Sequence, residues 1–259
     1  MARVFLGCPT HDGRMYAGCA KAFFQCPAQY HEVESGVSQN SLLTFNCNLL
    51  WSLALKLHAT QRADWFAMLH SDVEPEPLWI DKLIMEAERH NADVMTTVIP
   101  IKDEQGLTST AIGQATNFYQ GFRLTMAQVR HPSFPATFDH ELAAAALRSL
   151  PEHLRIDVPR PSILLGNTGC MVCKLGGRWC DPRQEHFDES TTFQSVDNHW
   201  KPWALSEDWN FTARAGQQGA KVMATTSLKV LHHGGAVYPN DKVWGMPLDV
   251  KGLSDFFGG

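Results

Sequence analysis

Asp64–Asp81, DWFAMLHSDVEPEPLWID, is the stretch on which the reading of the whole chain turns. Trp65 to Leu69 are uninterrupted apolar residues, the pattern of a strand buried on both faces. The run stops at His70-Ser71-Asp72. Pro75 and Pro77 oppose further strand pairing, and Pro77 is placed to open a helix. A buried strand thus delivers an imidazole, a hydroxyl and a carboxylate to its carboxyl end, the edge at which open parallel α/β sheets bind ligands. His70 and Asp72 share a side while strand geometry lasts. Such a pair suits a divalent cation, and a cation suits a diphosphate. Asp72 equally suits a cap on the turn into the next helix.

On the amino-terminal side, Val4 to Cys8 reads as a first strand and Pro9-Thr10-His11-Asp12-Gly13 as a turn. A helix with Met15, Cys19, Ala22 and Phe23 on one face follows. Tyr30 to Val33 reads as a second strand. Ser41 is placed to cap a long helix whose Leu42, Phe45, Leu49, Leu53 and Leu57 form the inward stripe. On the carboxyl-terminal side, a helix from about Leu78 to His90 carries Asp81 in its first turn and Arg89 and His90 in its last, matching the helix dipole. Asp93 to Pro100 is a further strand. This alternation predicts an α/β protein with a mostly parallel central sheet flanked by helices.

Beyond residue 100 the pattern changes. Leu107–Gly113 and Thr116–Leu124 predict a hairpin, a small antiparallel element. A helix is expected near His140–Ser149 and a strand over Gly169–Leu175. Arg178 to Trp203 shows little periodicity and reads as loop. Ser206 starts a helix, and Lys221–Thr226 and Leu228–His232 are short strands. We expect a single domain over 1–259: a nucleotide-binding half over 1–100, an acceptor-binding half over 101–235 and an irregular tail over 236–259.

The 259 residues leave ample room for a core, and a net charge of -5 argues against a strongly basic nucleic-acid footprint. No stretch is apolar enough to span a bilayer and the amino terminus does not read as a signal peptide, which predicts a cytoplasmic location. Seven cysteines scattered through apolar segments read as reduced thiols. Cys170 and Cys173, with Cys180 and His186 beyond, have a spacing that invites zinc. Three positions apart on a strand, however, they point to opposite faces and read as structural thiols.

Four motifs are candidates for chemistry. GCPTHDG lacks the G-x-G-x-x-G fingerprint, and Gly13 to Ala20 is no P-loop because Cys19-Ala20 replaces Lys-Ser/Thr. Its Pro-Thr turn can still pack against a base or ribose. Glu207-Asp208 opens a helix, where the dipole alone favours acidic residues, or where one carboxylate serves as a base toward a hydroxyl. His232-His233-Gly234-Gly235 ends the last strand, and His232 acquires meaning if it faces Asp72. Trp179, Trp200, Trp203 and Trp209 can stack on sugar rings or pack the core.

The order of these motifs resembles the nucleotide-sugar glycosyltransferases of the GT-A fold, near glycosyltransferase family 2. The segments that carry it are the Pro turn after strand one, the helix bearing Asn46 and Asn48, HSDVEPEP at the Asp-x-Asp position, Asn167–Met171, and SEDWNFTARAG leading to HHGG. His70 departs from the family by standing where the first Asp is usual. The resemblance implies Asp72, His232 and His70 around Mn²⁺ or Mg²⁺. It places Pro9, Thr10, Asp12, Glu34, Asn48, Ser71 and Asp72 on the donor nucleoside-diphosphate sugar, and Asp208, or else Glu207, on the acceptor hydroxyl. A nucleotidyltransferase would want a basic Gly-rich loop that GCPTHDG does not supply, and a non-catalytic sugar-binding module is the third possibility. The acceptor stays open among glycan, protein, small molecule and modified nucleic acid, as does the oligomeric state.

Overall fold

The computed structural model describes residues 1–25, 27–158, 160–196 and 199–244. The elements in chain order begin with β1 (Arg3–Thr10), α1 (Ala17–Phe24), β2 (Glu32–Gln39), α2 (Leu43–Ala59), β3 (Trp65–Leu69), β4 (Val73–Pro75), α3 (Trp79–His90) and β5 (Val94–Thr97). They continue through β6 (Leu107–Gln114), β7 (Asn117–Thr125), α4 (Met126–Val129), β8 (Thr137–Phe138), α5 (His140–Ser149), β9 (Ser162–Leu165) and β10 (Cys170–Lys174). The last are β11 (Ser190–Val196), β12 (His199–Leu205), α6 (Glu207–Gln217), β13 (Val222–Thr225), β14 (Val230–His233) and β15 (Val237–Pro239).

A seven-stranded sheet in the order β2-β1-β3-β10-β5-β13-β8 forms the centre. The architecture is α/β and mostly parallel, as the alternation predicts: β2, β1 and β3 pair in parallel, as do β5 and β13. β10 runs antiparallel between β3 and β5. β3 is buried along its whole length. Its alternate residues feed two cores: Trp65, Ala67 and Leu69 join α1 and α3 on one face, while Phe66 and Met68 join α2 on the other. The same alternation sends Cys170 to the first core and Cys173 to the second, both fully buried. A shared zinc is therefore ruled out for this pair. Burial pushes the Cys170 thiol up to about 12.

Several expectations are corrected. β2 starts and ends later than Tyr30–Val33, because all eight of its residues find parallel partners on β1. Pro75 does not end strand pairing: it closes β4, a short edge strand that pairs with β14 alone. Edge position is what makes the proline tolerable. α2 starts after Leu42 and has no side-chain cap, so Ser41 does not cap it. Its Leu42, Phe45, Leu49 and Leu53 face outward, and Cys47, Leu50, Trp51, Ala54 and Leu57 face the sheet. Arg178–Trp203 is not loop throughout, since β11 and β12 form an antiparallel ribbon within it.

The predicted hairpin forms as β6 and β7, and β9 extends it into a three-stranded sheet. β4, β14 and β15 make another small antiparallel sheet at the carboxyl edge of the central one. The tail is a short strand over Val237–Pro239, and its part from 245 to 259 lies outside the described residues. Among the described residues no helix is long and apolar enough to cross a membrane.

Candidate active site

The site is built where three chain segments leave the same edge of the sheet. After β3 the chain turns at His70-Ser71-Asp72, with Val73 N–H bonded to the His70 carbonyl at 3.2 Å. It then pairs antiparallel with β14, which sets His232 opposite Val73 and beside Asp72. His233 N–H donates to the Asp72 carbonyl at 2.8 Å and locks this register. The imidazole Nε2 of His232 consequently lies 3.5 Å from Asp72 Oδ2. The two residues that the sequence ties together across 160 positions do meet.

His232 is held from its other side. Its Nδ1 is 2.7 Å from the Pro100 carbonyl, in the segment leaving β5. A carbonyl only accepts, so Nδ1 carries a proton, and Nε2 is the ring nitrogen turned to Asp72. With the Pro100 contact holding the proton on Nδ1, Nε2 is the atom that could be offered, beside the Asp72 carboxylate oxygen, to a cation between them. Among the described residues no three His, Cys, Asp or Glu side chains are grouped to hold a metal ion. The fit is therefore that of a two-residue set that needs further ligands from a substrate. His70 does not complete it: its ring packs by Gly169, and its Nε2 is buried without a hydrogen-bond partner.

The sequence reading missed one residue here. Lys102, two residues past the end of the strand read over Asp93–Pro100 and five past the end of β5, ion-pairs with Asp72 through the same Oδ2. Applying the carboxyl-edge rule to β5 as well as to β3 would have found it. Burial alone would raise the Asp72 carboxyl. The His232 hydrogen bond, the His70 charge and the Lys102 contact outweigh it and hold the group well below the usual carboxylate range.

The second cluster lies on the same edge, reached through the segment that precedes β10. Because β10 is antiparallel to β3, Asn167-Thr168-Gly169 arrive beside His70, whose N–H donates to the Gly169 carbonyl at 2.8 Å. Asp208 closes on this segment: Asn167 Nδ2 donates to Oδ2 at 3.0 Å, and Thr168 donates to Oδ1 from both its N–H (3.2 Å) and its hydroxyl. Ser206 caps α6 through Trp209 N–H, as its sequence position predicts. Glu207 is buried next to Asp208, and burial together with the Asp208 charge pushes its carboxyl up to about 8. Arg123 of β7 lies over the Trp209 ring at 4.4 Å, within reach of the Asp208 charge. Of the other indoles, Trp179 is core and Trp200 is 73% exposed on the β11–β12 ribbon.

The expected nucleotide contacts divide. Pro9 and Thr10 end β1 at this edge, and Ser71 sits in the turn next to Asp72, its carbonyl accepting from Tyr16 N–H at 3.0 Å. Thr10 is buried and engaged: its hydroxyl donates to Ser38 O and accepts from Gly13 N–H. Asp12 is exposed and accepts from Arg14 N–H in its own turn. Glu34 is not at the carboxyl edge. The later start of β2 puts it opposite Phe5, where it pairs with Arg62 at 2.8 Å. Asn48 is not open to a nucleotide either, because its side chain donates to Phe187 O (2.7 Å) and accepts from Phe187 N–H (2.8 Å). Asn46, fully buried, ties the ends of β1 and β2 by donating to Thr10 O and Asn40 O and accepting from Ser38.

Comparison with known proteins adds little at the level of sequence: no family model matches the chain, and no curated protein matches it. Solved structures of similar shape include A197 from STIV, with a TM-score of 0.49 and 12% identity over 94% of this chain and 97% of that one. S. aureus TarS aligns with a TM-score of 0.40 and 10% identity, over 98% of this chain and 39% of that one. S. aureus TarS 1-349 in complex with UDP aligns with 0.42 and 12%, over 98% of this chain and 64% of that one. The chain thus spans well under the full length of either TarS structure.

Proposed function

We propose that this protein is a glycosyltransferase of GT-A-like architecture, moving a sugar from a nucleoside-diphosphate sugar to an acceptor hydroxyl with the help of a divalent cation. The meeting of Asp72 and His232 at the carboxyl edge, beside the Glu207–Asp208 cluster, carries the reading. One carboxylate set serves a leaving group and the other serves an attacking hydroxyl. Residues 1–100 form the donor half, with Pro9, Thr10 and Ser71 lining it; residues 101–235 form the acceptor half.

Asp72 and His232 would hold Mn²⁺ or Mg²⁺, which when bound supplies Lewis-acid stabilisation to the departing diphosphate. His232 keeps its orientation through Pro100. Asp208, positioned by Asn167 and Thr168, takes the proton of the attacking hydroxyl. Glu207, whose carboxyl is pushed up to about 8 by burial and the Asp208 charge, would supply a proton donor at the same locus. In this reading the exposed β11–β12 ribbon, which runs directly into Ser206 and α6, belongs to the acceptor half with its Trp200.

The test is a panel of UDP-, GDP-, CDP- and ADP-sugars incubated with the protein and Mn²⁺, read as sugar release. Release that disappears in Asp72→Ala supports the proposal. Pyrophosphate release from nucleoside triphosphates instead identifies a nucleotidyltransferase. Silence throughout identifies a non-catalytic module and ends the transferase reading.

A further inference from the structure

Asp72 has two basic neighbours on one oxygen, and they differ in kind. His232 is anchored at both ring nitrogens, by Pro100 and by Asp72 itself, with its side chain 16% exposed. Lys102 is a long flexible stem, 37% exposed, whose one polar contact among the described residues is the Asp72 carboxylate. That stem runs across Gly234, where an added Cβ would fall 2.8 Å from Lys102 Cδ. Gly234 has no left-handed φ, so its missing side chain serves space rather than backbone conformation. The glycine that follows His232-His233 thus keeps open the path by which an ammonium reaches the carboxylate.

An ammonium and a divalent cation cannot share one carboxylate oxygen without strong mutual repulsion. The ion pair must therefore open before Asp72 can serve a divalent ion. A diphosphate entering the same edge offers Lys102 more negative charge than Asp72 does, and a lysine ammonium is a point charge well suited to phosphate oxygens. We infer that Lys102 is a displaceable counter-ion: it occupies Asp72 in the free protein, and the donor diphosphate draws it off, releasing the carboxylate to the cation. This rests on the transferase reading above and goes further, because it couples cation and donor binding. The free protein takes the cation weakly, and each ligand raises the affinity for the other by the same factor. Lys102 is in this sense a positioning residue for the donor rather than a group that touches the acceptor.

The experiment titrates Mn²⁺ alone, by calorimetry and by loss of its free-ion EPR signal, into the wild type, Lys102→Met, Gly234→Ala and Asp72→Asn. Lys102→Met is expected to bind Mn²⁺ about tenfold tighter than the wild type, within the usual range of coupling energies. Gly234→Ala, which crowds the stem but keeps the charge, should shift affinity in the same direction. With Mn²⁺ saturating, UDP (or whichever of UDP, GDP, CDP and ADP binds tightest) should bind Lys102→Met about tenfold more weakly than the wild type. Unchanged or weaker Mn²⁺ binding in Lys102→Met overturns the counter-ion while a loss in Asp72→Asn leaves the cation site standing. Mn²⁺ binding that ignores Asp72→Asn overturns the cation site itself.

Discussion

Asp72 and Glu207 are carboxyl groups at one sheet edge, and their surroundings push them in opposite directions. Asp72 is partly buried, yet Lys102, His232 and His70 hold it ionised far below the usual range. Glu207 is buried beside another carboxylate, and among the described residues no cationic side chain compensates, so its proton stays on up to about 8. The difference teaches how one edge can hold carboxyl groups in two protonation states. Where basic side chains converge, a carboxylate keeps its charge and can trade one cation for another. Where carboxylates adjoin, one becomes a proton holder.

The strongest way to break this comparison is Asp72→Asn. It should cut sugar release by about a thousandfold or more, in line with the loss of a preorganised charge-stabilising group. Its melting temperature should stay near that of the wild type, since the residue is partly solvated. Asp208→Asn should lower transfer about a hundredfold, at the low end for a general base, with nucleotide affinity unchanged. Equal loss of nucleotide affinity would erase the division between the two carboxylate sites.

The pH behaviour sharpens the contrast further. A carboxyl whose folded value is raised keeps a proton that the unfolded chain has already released, so folding stability falls as pH rises between the two values. Glu207 gives such a window from 4.5 to about 8. Glu185, deep in the core with one oxygen unpartnered, gives another from 4.5 to about 9 through burial. Glu185→Gln lies away from the site and isolates the effect. Its melting temperature should match the wild type near pH 4 and exceed it by a few degrees at pH 9. A constant offset across that range would contradict a raised carboxyl.

Asn48→Ala tests the reassignment of that residue from nucleotide to backbone clamp. Stability should drop by about 1–3 kcal/mol in denaturant titration, because Phe187 loses partners for both its N–H and its carbonyl, while nucleotide affinity holds. The smallest expected effect is that of Leu49→Lys on the outward face of α2, within about 0.5 kcal/mol of the wild type.

The last two predictions touch what the sequence could and could not show. Legible were β3, its abrupt charged end, the β6–β7 hairpin, α5, α6 and the opposed cysteines of β10, all set by local period or capping. The α2 stripe misled because both of its faces are apolar: 42, 45, 49 and 53 recur as regularly as 47, 50, 51 and 54. Periodicity finds that a helix has a face but cannot choose between two. The β11–β12 ribbon escaped because it is largely exposed on both sides, which erases the alternation that marks a half-buried strand. Within the site, Asp72, His232 and Asp208 could be singled out from motif order. Lys102 needed the carboxyl-edge rule applied to β5 as well, and the room its stem takes beside Gly234, 132 positions later, leaves no local signal. Glu34 failed for a simpler reason: moving the start of a strand by a few residues carries a side chain to the other end of the sheet.

The insertion of β10 between β3 and β5 has a consequence for biogenesis. Strands made early in synthesis are left with an unfilled gap in their ladder until residues 170–174, which begin 73 positions after the end of β5, emerge from the ribosome. A fragment ending near residue 100 would expose two unpaired edges lined by the most apolar strands of the chain. Such a nascent half is where aggregation would begin, and where a holdase would be expected to bind.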